Sequence, residues 1–439
     1  MEKLYYIHTY GCQMNIHESE KIAGILEQLG YVYTPDDKSA DIVVFNTCCI
    51  RENAEDRIYG NVGAFKQLKK ARKDLIIAVG GCMTQQKGMA EKLSLKFPFI
   101  DIIFGTHNLE NFKELLLKKL SRKKRVIEVE DVDGTVYEGT PTKRTSFPNA
   151  WVNIMYGCDN FCTYCIVPYV RGRERSRKKE DIVNECKQLI KDGYKEITLL
   201  GQNVNSYGND LKDGSNFADL IREVALIDGK FRLRFMTNHP KDFTDEMIDA
   251  IASNDKICKC VHLPVQSGSN KILSLMNRHY SREYYIDRLT KLRNTIPNCA
   301  VTTDIMVGFP QEDEQDFLDT MSLVELAEYS GAFTFIYSKR SGTVAAEMPG
   351  QIPEDVSTNR IMKLIDLQNA INRKQSERYL DKTVEILCED YDDKKKLYLG
   401  RDEYGKMAYF TSEKDVLGEF LMVKITKTGG MSLYGEIVK

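Results

Sequence analysis

Short apolar runs alternate with stretches whose apolar residues recur at helical spacing from the start of the chain. Residues 3–9 precede a helical pattern over 18–30, residues 41–46 one over 52–72, and residues 75–80 one over 85–97. A fourth run at 100–104 leads into a helix from 108 to about 120. Strands alternating with helices in this way predict βα units and a parallel sheet. A stretch rich in Thr, Gly, Pro and charge, 131–148, then interrupts the pattern and reads as a linker.

A second series places strands at 151–155, 196–200, 232–236, 261–265, 301–307 and 332–337, with helical patterns between them. Six repeats predict an open, partial barrel rather than the closed barrel of eight. On such parallel sheets the working loops lie at the carboxyl ends of the strands. After a helix over about 354–380 come five short strands, 383–388, 396–399, 407–411, 419–426 and 432–438, which predict a small β-barrel. The chain of 439 residues therefore divides into an N-terminal parallel α/β domain (1–130), the linker (131–148), a central (βα)6 partial barrel (149–375) and a C-terminal β-barrel (376–439). That agrees with the usual size of about 150 residues per domain.

Composition excludes several classes. With 42% hydrophobic and 29% charged residues the chain can bury a core and is not disordered. The longest apolar runs, such as 42–45 and 75–79, fall far short of the roughly 20 residues of a membrane helix. The first residues lack the features of a secretory signal, so a cytoplasmic location and no membrane partner are expected. A net charge of −2 gives no global basic field, so a nucleic-acid partner must be held by a local patch. In a reducing compartment twelve cysteines point to metal or redox chemistry rather than disulfides.

The most specific feature is Gly157-Cys158-Asp159-Asn160-Phe161-Cys162-Thr163-Tyr164-Cys165, directly after the first strand of the second series. A four-iron four-sulfur cluster normally takes four thiolates, so a loop of three leaves one iron open to a small molecule. A structural zinc site would want a fourth Cys or His nearby. The next cysteine, Cys186, lies 21 residues beyond Cys165 in a predicted helix.

Cys12, Cys48 and Cys82 each follow a strand of the first domain, 36 and 34 residues apart. One βα unit takes about thirty residues or more, so successive units bring these thiols to one edge of the sheet and predict a second three-thiolate site. Three unrelated buried cysteines are the competing reading, and repetition of the same location argues against it. Cys49 is set apart as a non-ligand, because neighbouring side chains of an extended segment point opposite ways. Cys186, Cys258, Cys260, Cys299 and Cys388 show no motif spacing.

The Cx3CxΦC loop resembles the radical S-adenosylmethionine superfamily, and the whole chain resembles its methylthiotransferases. Matching segments include 10–15, 104–108, 157–177, 200–208, 239–241, 262–269 and 303–310. The segment Ile50-Arg51-Glu52-Asn53-Ala54-Glu55-Asp56 is similar to the branch acting on N6-isopentenyladenosine in tRNA. Branches acting on threonylcarbamoyl-adenosine in tRNA or on ribosomal protein S12 are the alternatives, and a non-catalytic, zinc-containing RNA-binding protein is a third.

The resemblance implies two four-iron four-sulfur clusters. One, on Cys158, Cys162 and Cys165, cleaves S-adenosylmethionine to a 5′-deoxyadenosyl radical; the other, on Cys12, Cys48 and Cys82, holds the sulfur that is methylated and inserted. Two molecules of S-adenosylmethionine are consumed, and the product is 2-methylthio-N6-isopentenyladenosine just 3′ of the anticodon. It further implies Gln202 and Asn203 at the methionine part of the cofactor, Tyr164 near its adenine, and Gln266 and Asp304 at later strand ends. No acid–base side chain is assigned. A tRNA carrying N6-isopentenyladenosine and a reductant such as flavodoxin or ferredoxin are the expected partners of a monomer.

The run Arg171-Gly172-Arg173-Glu174-Arg175-Ser176-Arg177-Lys178-Lys179 is a candidate for RNA or cofactor contact. The last barrel resembles the TRAM domain, with Arg401, Tyr398, Tyr404, Tyr409 and Phe410 as candidate RNA contacts. Departures from the family pattern are Cys49 where serine is common, and His279 and Gln311 where glycine is common.

Overall fold

The computed structural model describes residues 2–49, 54–130, 134, 136 and 138–438. Residues 50–53, which open the segment used to choose among branches, lie outside the described residues, as do 131–133, 135 and 137 of the linker. The chain divides into two compact units: Met1–Thr145 with Tyr156–Asp159 and Ile166–Arg175, and Ser146–Met155 with Asn160–Cys165 and Ser176–Lys439.

The first unit is built on β1 (Lys3–Thr9), α1 (Gln13–Gln28), β2 (Tyr31–Tyr33), β3 (Ile42–Thr47), α2 (Ala54–Ala71), β4 (Ile76–Gly81), α3 (Met89–Lys96), β5 (Ile102–Phe104), α4 (Phe112–Arg122) and β6 (Val126–Glu128). All six strands are parallel, in the order β2-β1-β3-β4-β5-β6. Val43, Phe45, Ile77, Val79 and Ile103 pack into one core, and Ile42, Val44, Ile76, Ala78 and Ile102 into another. The alternation of strand side chains thus feeds two cores, one on each face, which is why β3 and β4 read as continuous apolar runs.

The described part of the linker is strapped along α1. Lys143 N donates to Glu20 O at 2.9 Å and Thr145 N to Glu20 Oε1 at 2.9 Å. Arg144 Nη1 lies 2.9 Å from His17 Nδ1 and 3.2 Å from Glu20 Oε2. A Cβ on Gly24 would collide with the Pro141 carbonyl, so this helical glycine buys close approach of the two backbones.

The chain continues with β7 (Asn149–Asn153), β8 (Met155–Tyr156), α5 (Val167–Arg171), β9 (Arg175–Ser176), α6 (Lys179–Lys191), β10 (Glu196–Leu200), α7 (Phe217–Ala225), β11 (Arg232–Met236), α8 (Asp245–Ala252), β12 (Cys260–His262), α9 (Asn270–Leu275), α10 (Arg282–Thr295), β13 (Ala300–Val307), α11 (Glu314–Ala327), β14 (Gly331–Ile336) and α12 (Glu354–Glu377), of which α5 belongs to the first unit and β7, α6 and the elements after it to the second. The six parallel strands of the expected partial barrel occur in chain order, as two three-stranded sheets, β7-β10-β11 and β12-β13-β14. The two sheets are joined by a bridge at Leu233 and Ile257 and by bonds such as Asn238 N to His262 O (3.3 Å). Strand β12 stops at His262, earlier than the expected 265; Leu263 N still donates to Thr302 O at 2.8 Å, and Pro264 after it has no N–H to donate.

The chain ends in β15 (Thr383–Asp392), β16 (Leu397–Arg401), β17 (Met407–Thr411), β18 (Phe420–Gly429) and β19 (Ser432–Ile437), a closed barrel in the order β15-β16-β17-β19-β18. It sits against the amino ends of the parallel strands. Arg232 donates to the Arg401 and Glu385 carbonyls and Arg234 to those of Asp402 and Glu403. Fully buried Glu196 at the start of β10 accepts from Arg234 Nε at 2.7 Å and Arg401 Nη2 at 3.2 Å. Burial pushes this carboxyl up, and the two guanidinium groups outweigh it and hold it below the ordinary glutamate value.

Removing one partner of a buried pair leaves the other charge stranded, at about 3–5 kcal/mol. Glu196→Gln is therefore expected to lower unfolding stability by about that much at neutral pH. Because the folded-state pKa is depressed, the difference from the parent should shrink as pH falls below the ordinary glutamate value of about 4.3. Equal denaturant midpoints at neutral pH would show the contact to be no stronger than a surface pair.

Candidate functional site

In the first unit, register places Thr9 beside Asn46, and Asn46 and Thr47 beside Gly80 and Gly81, so β1, β3 and β4 end together. Cys12 N-caps α1, Cys48 follows β3 and Cys82 follows β4. The three cysteine segments stand side by side at that edge. Gly11, at φ +106, lies so close to Cys48 that a Cβ there would meet the Cys48 Cβ at 2.6 Å and Sγ at 2.7 Å. Asn15 ties the segments together: its Nδ2 donates to the Tyr10 and Thr47 carbonyls at 2.8 and 2.9 Å. Its Oδ1 accepts from the Cys12 and Cys82 thiols at 3.9 and 4.0 Å.

Among the described residues no three Cys, His, Asp or Glu side chains are close enough to share one metal ion, so the thiols stand as an edge rather than a single-ion centre. The Cys12 thiol is pushed up by burial, with the Arg171 guanidinium pulling the other way. The Cys82 thiol is raised by a hydrogen bond with Cys49 and by burial, again against Arg171. Cys49, expected from extended-strand alternation to point away from the site, instead sits beside Cys82. Strand β3 has ended at Thr47, and alternation no longer governs the residues after it.

The second cysteine loop begins at Gly157, φ +74, where a Cβ would fall on the Arg173 carbonyl. Cys158 and Cys162 are buried and Cys165 is half-buried. Cys165 N donates to Cys162 O at 2.9 Å, closing a tight turn. The residues after α9 clamp this turn: Thr163 N donates to Met276 O at 3.1 Å, and Asn277 Nδ2 to the Asn160 and Phe161 carbonyls at 3.3 and 3.1 Å. Arg278, buried, donates from Nη1 to Cys162 Sγ at 3.4 Å and from Nη2 to Pro264 O at 2.8 Å. Sequence reasoning missed Arg278, although it lies next to His279; only a pattern tying that stretch to the cysteine loop could have found it. His279 and Gln311 both adopt positive φ, +57 and +68, a conformation glycine takes most easily.

The cofactor candidates gather at the carboxyl strand ends of the second unit. Tyr164 meets Phe309 edge-on at 6.5 Å and burial pushes its hydroxyl up. Gln202 is half-buried, and buried Asn203 donates from Nδ2 to Asp242 at 2.8 Å. Gln266, at φ +69, joins β13 by backbone bonds to Asp304 O (2.8 Å) and from Met306 N (2.9 Å). Asp304 Oδ1 lies 3.5 Å from His262 Nε2. Around them, buried polar atoms lack partners among the described residues: the Asn153 side-chain amide, Asn203 Oδ1, Asn238 Oδ1, His239 Nε2 and Tyr337 Oη. Burial and then the Arg278 charge lower the His239 pKa, so its ring is neutral. Each such orphan costs about 1–3 kcal/mol. Their concentration at the ends of β7, β10, β11 and β14 fits a ligand rich in donors and acceptors, as the amino acid and ribose of S-adenosylmethionine are.

The basic run does not act as one patch. Arg171 is 3% exposed and pairs with Glu18; Arg177 is 6% exposed and pairs with Glu185 at 2.7 Å. Both are turned inward, because so costly a charge is buried only when paired. Arg173 reaches the surface at 60% exposure beside Asp159, and half-buried Arg175 bonds backbone carbonyls. Arg401 is likewise engaged by Glu389 and Glu196. In the last barrel Phe410 is core, Tyr398 packs against that core, and burial raises the Tyr404 hydroxyl to about 12. Tyr409 instead stacks on Tyr434 at 5.4 Å, with Lys395 over its ring at 4.1 Å and Lys427 over Tyr434 at 5.8 Å. Tyr434, on β19, was not singled out from sequence as an RNA contact; its register partner on β17 is Tyr409.

Fold and motif together define a protein of the radical S-adenosylmethionine class. The Radical SAM superfamily pattern matches residues 152–324, preceded by the uncharacterized protein family UPF0004 over 4–105 and followed by the TRAM domain over 377–438. Among solved structures, a radical S-adenosylmethionine methyltransferase from Kitasatospora setae, with tryptophan and a SAM analog bound, superposes with TM-score 0.59 at 14% identity, covering 79% of this chain and 75% of that one. A cobalamin-dependent S-adenosylmethionine radical enzyme matches with TM-score 0.54 at 13% identity, covering 84% of this chain and 56% of that one. These likenesses show the fold.

Sequence relatives are more specific. The tRNA-2-methylthio-N(6)-dimethylallyladenosine synthase of Clostridium botulinum (strain Langeland) is 53% identical over 98% of this chain and 96% of its own length. That of Carboxydothermus hydrogenoformans is 51% identical over 100% of both. The chain belongs to the tRNA-2-methylthio-N(6)-dimethylallyladenosine synthase family, a family of enzymes.

Proposed function

We propose that this protein inserts a methylthio group at carbon 2 of N6-isopentenyladenosine next to the tRNA anticodon, using two four-iron four-sulfur clusters and two molecules of S-adenosylmethionine. The observation that carries this reading is the meeting of the Cys12, Cys48 and Cys82 segments at one sheet edge, in a chain that also bears the Cys158, Cys162 and Cys165 loop. Carbon 2 of adenine is neither acidic nor open to attack by a thiolate, so a radical route is required. When bound, the clusters supply one-electron cleavage of S-adenosylmethionine and the sulfur to be inserted.

Cys158, Cys162 and Cys165 hold one cluster, and Cys12, Cys48 and Cys82 the other. Tyr164, Gln202, Asn203, Gln266 and Asp304 bind S-adenosylmethionine, with the orphaned amide of Asn153 and the neutral ring of His239 as further hydrogen-bonding groups. Arg173, Arg175 and the Tyr409–Tyr434 face with its two lysines contact tRNA. The protein works as a cytoplasmic monomer, reduced by flavodoxin or ferredoxin. Among the described residues no helix is long and apolar enough to cross a membrane.

The test is mass spectrometry of nucleosides from isopentenyladenosine-containing tRNA, incubated anaerobically with reconstituted protein, S-adenosylmethionine, reductant and sulfide. The methylthio nucleoside is expected. If neither it nor 5′-deoxyadenosine forms with clusters verified as present, the reading fails.

A further inference from the structure

We propose that Arg171 is a positioning residue of the first-unit cysteine site, holding a positive charge against Cys12 and Cys82 and so setting the reduction potential of a cluster carried there. The inference rests on the two-cluster reading above. Arg171 ends α5 and is buried. Its Nη1 donates to Glu18 Oε1 at 2.6 Å and meets Met14 Sδ at 2.9 Å. Its Nη2 donates to Glu18 Oε2 at 3.2 Å and to Asn15 Oδ1 at 2.9 Å. That same Asn15 oxygen accepts from the Cys12 and Cys82 thiols. The guanidinium is therefore one side chain removed from two of the three thiols. The forked pairing with Glu18 fixes its plane.

A buried ion pair is a poor device for stability alone. Here the pair is asymmetric toward the thiols, because Asn15, which links them, takes its bond from the arginine. In a site closed to water such a charge is screened weakly. Charges and hydrogen bonds around cluster sulfurs set the potential of iron–sulfur centres. A fixed positive charge stabilises the added electron, so Arg171 holds the potential up and Glu18 tempers it.

The experiment uses the full chain with Cys158, Cys162 and Cys165 replaced by Ala, reconstituted with iron and sulfide so that only the first-unit cluster remains. Its midpoint is read by reductive titration followed by electron paramagnetic resonance. Arg171→Met is expected to lower the reduction equilibrium at least about tenfold, about 59 mV more negative for a one-electron couple. Arg171→Lys should restore most of that shift. Glu18→Gln, which keeps the guanidinium and removes its counter-charge, should move the midpoint the opposite way. A merely structural pair would alter unfolding and leave all midpoints equal, and that result overturns the proposal. Should Arg171→Met hold no iron, Glu18→Gln decides: a positive shift supports the proposal and an unchanged midpoint overturns it. Failure of the parent triple variant to bind iron overturns the two-cluster reading and this proposal together, whereas iron binding with unmoved midpoints overturns this proposal alone.

Discussion

Cys158→Ala is expected to stop formation of 5′-deoxyadenosine while the cluster of the first unit is retained. The thiol is buried in a loop whose backbone is fixed independently of it, by the Cys158 N bond to Gly172 O at 3.2 Å and by the positive φ of Gly157. Replacing sulfur by a methyl group therefore removes a ligand without removing the loop. Changes around a metal site that leave its ligands intact already cost about 10–100-fold, so loss of one of three ligands should lower cofactor cleavage by more than that. The measurement is 5′-deoxyadenosine per protein under reductant, alongside iron content. Iron should fall to the amount one cluster accounts for. Continued cleavage at the parent rate would take the radical role away from this loop.

The same loop shows what sequence could and could not convey. The side-by-side placement of the three cysteine segments at the first-unit strand ends was legible, because spacing along βα units maps directly onto one sheet edge. The six strands of the partial barrel were legible as well, from the alternation of apolar runs with helical patterns. The three-residue strands β2 and β6 were not, being too short to show a period. Which way each arginine of the basic run points was not legible, since composition gives charge without direction: Arg171 and Arg177 turn inward to Glu18 and Glu185. The strap of the linker on α1 depends on Gly24 and Glu20, each unremarkable alone. Likewise the Tyr409–Tyr434 stack needs the pairing of β17 with β19, which no local pattern announces.

For Cys48→Ala the expected result is the reverse: 5′-deoxyadenosine still forms, and no methylthio nucleoside appears. The substitution acts in the first unit, where Cys48 packs against Gly11 and shares its edge with Cys12 and Cys82. Taking away its sulfur leaves the sheet register of β1, β3 and β4 untouched, since those bonds are made by backbone before the cysteine begins. Cys49 makes this variant the informative one, because a second buried thiol stands next in the chain and hydrogen-bonds Cys82. If Cys49 can take the vacant ligand position, Cys48→Ala will keep iron and product, and the assignment of Cys48 over Cys49 falls. If Cys49 is bound to Cys82 only as a neighbour, Cys49→Ala will keep product formation while Cys48→Ala loses it. Product mass spectrometry of the two single variants, with 5′-deoxyadenosine measured in the same reactions, separates these outcomes. The expectation is loss in the first variant and retention in the second, because the backbone brings Cys48, and not Cys49, against Gly11 at the shared strand edge.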